Sequence, residues 1–199
     1  MNEPTADSEI PRAEFVSLPV FLSLRGRRVL VVGGGPVAAS KLSTLLSVGA
    51  AITLVAPKIV ADAERAGVTL RRRVFREPDL DGVWFVVAAA TPWVNASVAR
   101  AAARRRIFVN AVDDPNHASA FFGGVVRRGD VTLAISSGGR VPGLVRLLRE
   151  ALADLLPDDL AEWVEIAKSE RINWLRQRTK VSERVPLLAA AIGRLYARE

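Results

Sequence analysis

The stretch that most limits what this chain can fold into is residues 29–38, Val-Leu-Val-Val-Gly-Gly-Gly-Pro-Val-Ala. Four apolar residues run into three glycines, and a helical pattern follows from Pro36 to Leu46. A strand, a tight turn and a helix N-terminus in that order are built to hold the pyrophosphate of a dinucleotide. Gly33 permits the sharp turn, and Gly35 lets the backbone approach the phosphates with no Cβ in the way. The N–H groups at the helix start then face the anion. Ala38 stands where the G-x-G-x-x-G fingerprint has its third glycine, a replacement the fingerprint allows. A second apolar strand, Ala51-Ile-Thr-Leu-Val55, arrives on schedule. The bland alternative is a strand–turn–helix that binds no phosphate.

From there the chain alternates. Strand 29–33 leads into helix 36–48, stopped by Gly49. Strand 51–55 gives way at Ala56-Pro57 to a short helix over 59–66. Residues 68–70 and 72–75 read as a further strand and 79–82 as a turn. The apolar run 83–89 reads as a central buried strand, followed by a helix over 95–104 and a strand over 107–110. Apolar strands alternating with helices predict a parallel sheet covered on both faces. The expected fold is therefore α/β, with a Rossmann-type domain over 15–113 after a polar, disordered lead-in over 1–14.

The pattern then changes. Residues 120–126 and 131–136 flank Arg127-Arg128-Gly129-Asp130 and read as an antiparallel hairpin. Leu144, Leu147, Leu148, Ala151, Leu152 and Leu155 repeat with helical spacing up to Pro157. Asp158 or Asp159 can cap a second helix, and a last one starts at about Ser182. A hairpin and three amphipathic helices cannot all bury their apolar faces alone. The expectation is a dimerisation region over 114–150 and a helical C-terminal domain over 151–199.

Composition narrows the chemistry. The 199 residues contain no cysteine, which excludes disulfides, thiol nucleophiles and thiolate metal sites. With a single histidine, a permanent transition-metal site is not expected. No apolar run spans a membrane and the polar start lacks a signal-peptide core, so a cytoplasmic protein is expected. Net charge is +7, concentrated in arginine clusters at 71–73, 104–106 and 127–128 and at Arg140, Arg146 and Arg149. These suit an anionic partner (nucleic acid, nucleotide or polycarboxylate) or are simply solvated faces.

Ligands of open parallel sheets bind beyond the carboxyl ends of the strands. Three such ends are Gly33-Gly34-Gly35, Ala89-Ala90-Thr91-Pro92 and residues 110–114. They are expected to form one crevice, with Thr91 hydrogen-bonded to cofactor and Asn110 and Asp113 towards the nicotinamide. A carboxylate there can take a proton while hydride leaves. Asp before Pro is also ordinary turn chemistry, so Asp113 and Asp114 read both ways. The second strand ends in Val55-Ala56-Pro57-Lys58, without the acid that usually binds the ribose. Lys58 can favour a phosphorylated ribose, or the backbone at Pro57 and Lys58 can bind an unmodified one, leaving NAD and NADP both open. His117 reads as a loop histidine, or as a ligand or proton shuttle near the site. Ser136-Ser137-Gly138-Gly139, ahead of a helix and beside Arg140, reads as an anion site or a plain cap.

Several stretches together resemble a known family. They are Pro19-Val20-Phe21-Leu22 with Leu24-Arg25-Gly26, the glycine stretch through Ala38 with Lys41, and Ala89-Ala90-Thr91 with Asn95. Asn110-Ala111-Val112-Asp113-Asp114-Pro115 follows, then Ile135-Ser136-Ser137-Gly138-Gly139 with Pro142 and Leu147-Leu148-Arg149. In order and spacing over residues 15–160 the chain resembles the precorrin-2 dehydrogenases. These are the NAD-binding module of siroheme synthases, found alone or fused to a methyltransferase.

The resemblance implies oxidation of precorrin-2 to sirohydrochlorin with NAD reduced, and in some members insertion of ferrous iron. It puts the essential aspartate on Asp113 and the cofactor contacts on Gly33, Gly34, Gly35, Pro36, Val37, Pro57 and Lys58. Thr91 and Asn110 join these as cofactor candidates, and Ser136, Ser137, Gly138, Arg140 and His117 are the substrate candidates. An intertwined homodimer is implied, as is a stand-alone form, since no methyltransferase segment is present. The polycarboxylate substrate gives the arginines a partner, and no nucleic acid or membrane is expected. Two other readings stay open: an NAD(H)-sensing regulator that binds DNA, and a sirohydrochlorin chelatase without dehydrogenase activity.

Overall fold

Short strands, apolar on both faces, build the first part of the computed structural model, which describes residues 17–197. The lead-in expected over 1–14 lies outside the described residues. Strands β1 (Arg28–Val32), β2 (Ala51–Val55), β3 (Val68–Arg71), β4 (Phe85–Ala88) and β5 (Phe108–Ala111) form one parallel sheet in the order β3-β2-β1-β4-β5. Alternate side chains go to opposite faces. Val29 and Val31 pack with Leu42 and Leu45 of helix α1 (Pro36–Ser47) on one side. Leu30 and Val32 pack with Val98 and Ala102 of helix α2 (Pro92–Arg104) on the other. Strand order reverses between β1 and β4, which opens a crevice at their carboxyl ends.

Two compact units divide the chain: one runs through Phe122 and takes in Gly138–Arg140, the other holds Gly123–Ser137 and the residues from Val141 onwards. In the second unit, β6 (Gly124–Arg128) and β7 (Val131–Ile135) make the antiparallel hairpin. Helices α3 (Pro142–Leu155), α4 (Leu160–Gln177) and α5 (Val181–Tyr196) follow. A Cβ on Gly124 would stand 2.8 Å from Val145, so the missing side chain lets α3 approach β6. Lys168 of α4 pairs with Asp130 of the hairpin turn at 2.7 Å. Asp159 is the N-cap of α4, yet its carboxylate makes no cap bond and accepts from the Tyr196 hydroxyl instead. No residue of α3 is buried, and Leu144, Leu147, Leu148 and Leu155 are all exposed.

Some expected elements came out differently. Over 59–66 there is only one turn of 3-10 helix, Ala61–Ala63. The Val60 N–H donates to the Gly34 carbonyl, and the Arg65 side chain takes the Asp62 carbonyl, so the backbone is tied to the glycine turn rather than to a helix. The stretch 72–75 is not strand, because the Arg73 N–H turns back onto the Arg71 carbonyl and ends the ladder. The turn expected at 79–82 overlaps a 3-10 turn that starts earlier, Glu77–Leu80. Helix α2 starts at Pro92, three residues before the expected 95, with proline at its first position.

The arginine bend has a reason. Asp79 is 5 % exposed and takes hydrogen bonds from Arg71 at 2.7 Å, from Arg73 at 2.5 and 2.7 Å, and from the Arg76 N–H at 2.9 Å. The Arg73 guanidinium foremost, and then the Arg76 N–H and Arg71, overcome desolvation and push its carboxyl from 3.8 to about 2. A depressed folded-state value stabilises the fold above the unfolded value and loses that stabilisation as pH falls through the folded one. Asp79→Asn should therefore cost on the order of 2 kcal/mol at neutral pH. Between pH 4 and pH 2 the wild type should lose this advantage, so urea midpoints of the two proteins should converge there.

Candidate active site

The three glycines after β1 do different work. A Cβ on Gly33 would lie 2.1 Å from the Ala89 carbonyl oxygen, and φ is +121°. A Cβ on Gly34 would lie 2.2 Å from the Lys58 carbonyl oxygen. Both positions are set by the protein's own close packing. Gly35 differs: φ is −87° and nothing lies within 4 Å of a Cβ built there. It is the N-cap of α1, where no side chain caps the helix and no acid occupies the first turn. An open face beside uncapped helix N–H groups fits a pyrophosphate, the helix dipole adding its positive end. Pro36 and Val37 continue that edge as the first helical residues.

At the switch point lies a cleft of about 230 Å³. Val37 borders it from α1, Ala89, Ala90, Pro92 and Asn95 from the end of β4 and the start of α2, and Val112, Asp113 and Asp114 from the end of β5. Asp113 is exposed and holds a left-handed backbone, φ +57°. For a residue with a Cβ this conformation costs roughly 1–2 kcal/mol, though Asp tolerates it better than most. Asp114 is held from behind: its Oδ2 lies 2.7 Å from Nδ1 of His117. Asn95 is 3 % exposed, accepts the Ala90 N–H at 2.9 Å and donates to the Val112 carbonyl at 3.3 Å.

The cleft thus brings together Val37 and Asp113 from the residues expected on sequence grounds. Thr91 is the exposed N-cap of α2, and its carbonyl accepts the Asn95 N–H at 2.9 Å. Asn110 does not line the cleft; it is buried and its Nδ2 donates to the Ala120 carbonyl at 3.0 Å. That bond secures residues 119–120 where they cross the β5 edge. Pro57 and Lys58 are exposed on the loop after β2. His117 borders a separate cavity beside Arg106 and Phe108. Ser136 and Ser137 belong to the second unit, and the Ser137 hydroxyl accepts the Val141 N–H at 3.1 Å before α3. Gly138 and Arg140 group with the first unit, where Gly139 packs against Phe121. Asn95 has no role that the motifs themselves assign, yet a polar residue on the small, apolar face of Val98, Ala99 and Ala102 is a readable sign.

Most of the arginine clusters are already spent. Arg71 and Arg73 hold Asp79, Arg72 holds Glu64, and Arg104 and Arg105 both reach Glu77. Arg104, with Arg105, keeps the Glu77 carboxyl below the usual range. Arg128 pairs with Asp158, and Arg146 and Arg149 with Glu150. Arg106, Arg127 and Arg140 have no carboxylate partner among the described residues. Also among those residues, no group of three or more His, Asp or Glu gathers to hold a metal.

The glycines allow a discriminating test. Gly33→Ala should lose more than about 3 kcal/mol of stability, since its Cβ meets backbone. Gly35→Ala should melt within a few degrees of wild type while binding NADH at least about tenfold more weakly. Thermal melts paired with NADH fluorescence titrations separate the two outcomes.

Residues 20–124, more than half of the chain, match the family model described as "Putative NAD(P)-binding". Siroheme synthase of Photorhabdus laumondii is 40% identical over 172 residues, covering 81% of this chain and 37% of its own. Siroheme synthase 2 of Aeromonas hydrophila is 42% identical over 172 residues, covering 84% of this chain and 36% of its own. The chain therefore spans little more than a third of the length of these relatives. The solved structure of SirC, precorrin-2 dehydrogenase, matches with a TM-score of 0.65 at 28% identity, covering 88% of this chain and 89% of that one. With the glycine turn and the parallel sheet, the match over residues 20–124 places the chain in the family described as putative NAD(P)-binding.

Proposed function

We propose that this chain oxidises precorrin-2 to sirohydrochlorin, passing a hydride to NAD and a proton to Asp113. The observation that carries the reading is the placing of Asp113. It stands in a left-handed turn at the rim of the cleft where the ends of β1, β4 and β5 meet. NAD, when bound, supplies the hydride acceptor. In this reading the backbone of Gly33, Gly34, Gly35, Pro36 and Val37 holds the pyrophosphate, and the loop at Pro57 and Lys58 takes the adenosine ribose. Thr91 adds a hydroxyl contact at the mouth of the cleft. Asp113 is exposed, so a bound substrate can reach its carboxylate and deliver a proton that solvent then removes.

The candidates for the substrate's carboxylates are Gly138, Arg140 and His117 in the first unit, with Ser136 and Ser137 as separate candidates in the second. Arg140 is the strongest of these because its guanidinium is not committed to any carboxylate among the described residues. A homodimer belongs to the same reading, since the exposed leucines of α3 need a cover. A cytoplasmic location belongs to it too, given a nicotinamide oxidant and no cysteine; no described helix is long and apolar enough to cross a membrane. Ferrous iron enters only as a second substrate, tested by supplying sirohydrochlorin and iron without NAD. DNA binding is not favoured, because the arginines that would contact phosphates are largely ion-paired with Asp and Glu.

Precorrin-2 and NAD should yield NADH with the wild type, followed by absorbance. Asp113→Asn keeps the shape and tolerates the left-handed backbone, so it tests the charge alone. It should lower turnover by about 10²- to 10⁴-fold while leaving NADH affinity within a factor of about three. Absence of NADH from the wild type, or unchanged turnover in the variant, would refute the reading. For the dimer, Leu147→Glu should convert it to a monomer in sedimentation velocity, with the circular dichroism of the fold retained.

A further inference from the structure

We infer that Asn95 is a positioning residue for Asp113, acting through the peptide that joins Val112 to Asp113. The inference rests on Asp113 as the proton acceptor. Strand β4 ends at Ala88 and β5 at Ala111. The Ala90 N–H and the Val112 carbonyl both lie past those ends, where the ladder no longer supplies partners. Asn95 supplies both, the acceptor to Ala90 and the donor to Val112. Only a carboxamide of this length offers one of each: Asp when ionised only accepts, and Leu offers neither. The orientation of the amide follows from its partners, because an N–H needs the oxygen and a carbonyl needs the nitrogen.

The link to Asp113 is direct. The Val112 carbonyl and the Asp113 N–H belong to one planar peptide, so fixing the oxygen fixes the plane from which φ of Asp113 is measured. Val112 is gripped at both ends: its N–H donates to the Ala88 carbonyl at 2.9 Å and its oxygen accepts from Asn95 at 3.3 Å. That grip stands next to the one left-handed residue of the cleft, φ +57° at Asp113. Asn95 is itself fixed, since its N–H donates to the Thr91 carbonyl at 2.9 Å in the first turn of α2. Without the carboxamide the 112–113 plane can rotate, and the Asp113 carboxylate swings with it.

Asn95→Ala should lower turnover of precorrin-2 by about 10²-fold, the scale of an ångström-sized misplacement, with NADH affinity within about threefold of wild type. In the Asp113→Asn background the same change should cost less than about threefold further. A merely structural asparagine would instead cost as much in both backgrounds, and that result overturns the proposal. Asn95→Asp covers the case in which the alanine variant fails to fold. Ionised, its side chain repels the Val112 oxygen; protonated, it regains a donor, so its turnover relative to wild type should climb as pH is lowered. Asp113 and Asp114, the latter paired with His117, are the titratable groups bordering the same cleft, and dividing by the wild-type profile removes their contribution. A flat ratio overturns the proposal. If the wild type forms no NADH, it is the dehydrogenase reading that fails. The carbon-13 resonance of the Asp113 carboxylate then decides: a shift in the uncharged Asn95→Ala supports positioning, and an unchanged resonance overturns it.

Discussion

The close approach of the Gly33 turn to the end of β4 is the contact on which the rest of the first unit depends. A Cβ at Gly33 would stand 2.1 Å from the Ala89 oxygen, inside any tolerable contact. The two strands can run side by side to their last residues only because that atom is missing, and the Ala89 N–H then donates to the Val32 carbonyl at 2.8 Å. Gly34 makes the matching approach to the loop after β2. With both flanks pulled tight, the third glycine is left facing open space at a bare helix N-terminus. The pattern of three glycines is thus two packing requirements and one open approach to the helix N-terminus.

Charge follows a different logic from the one its abundance suggests. An excess of arginine invites a search for a large anionic partner, yet the strongest arginine contacts are internal. Asp79 is the clearest case, a buried carboxylate that survives because two guanidinium groups and a backbone N–H replace its water. From within the Glu77–Leu80 turn it holds Arg71 at the end of β3, the edge of the sheet furthest from β5. Of the clustered arginines, Arg106, Arg127 and Arg140 alone have no carboxylate partner among the described residues.

Much of this was legible from residue order, for identifiable reasons. The span of β2 and the start of α1 follow from local patterns, apolar runs ended by Gly or Pro, and they agree with the structure. Local patterns also misled: residues 59–66 look helical, but the Val60 N–H is claimed by Gly34, which is distant in sequence. The early start of α2 could have been read from Thr91-Pro92, a good N-cap followed by proline at the first position. The pairing of Glu77 with Arg104 and Arg105 could not, because nothing local marks partners so far apart. Asn110 lay between these cases. Its place at a strand end was legible, but its engagement with Ala120 depends on a segment that returns across the β5 edge.

The two ends of the sheet show where function was given room. At the amino ends the contacts are of a closing kind: Arg27 stacks 3.8 Å over the Trp84 ring, and the Gly26 N–H donates to the Gly49 carbonyl at 2.8 Å. The carboxyl ends carry a Gly33 turn no other residue could adopt, an aspartate in a left-handed conformation and a buried asparagine bridging two loops, while the amino ends have a left-handed residue of their own in Arg106 before β5. Such features cost stability, so they persist where the surrounding packing holds them and where something else is gained. The sheet core beneath, apolar on both faces, supplies the holding. The strand order reverses at the carboxyl end, so the topological switch point and the left-handed Asp113 meet at one cleft.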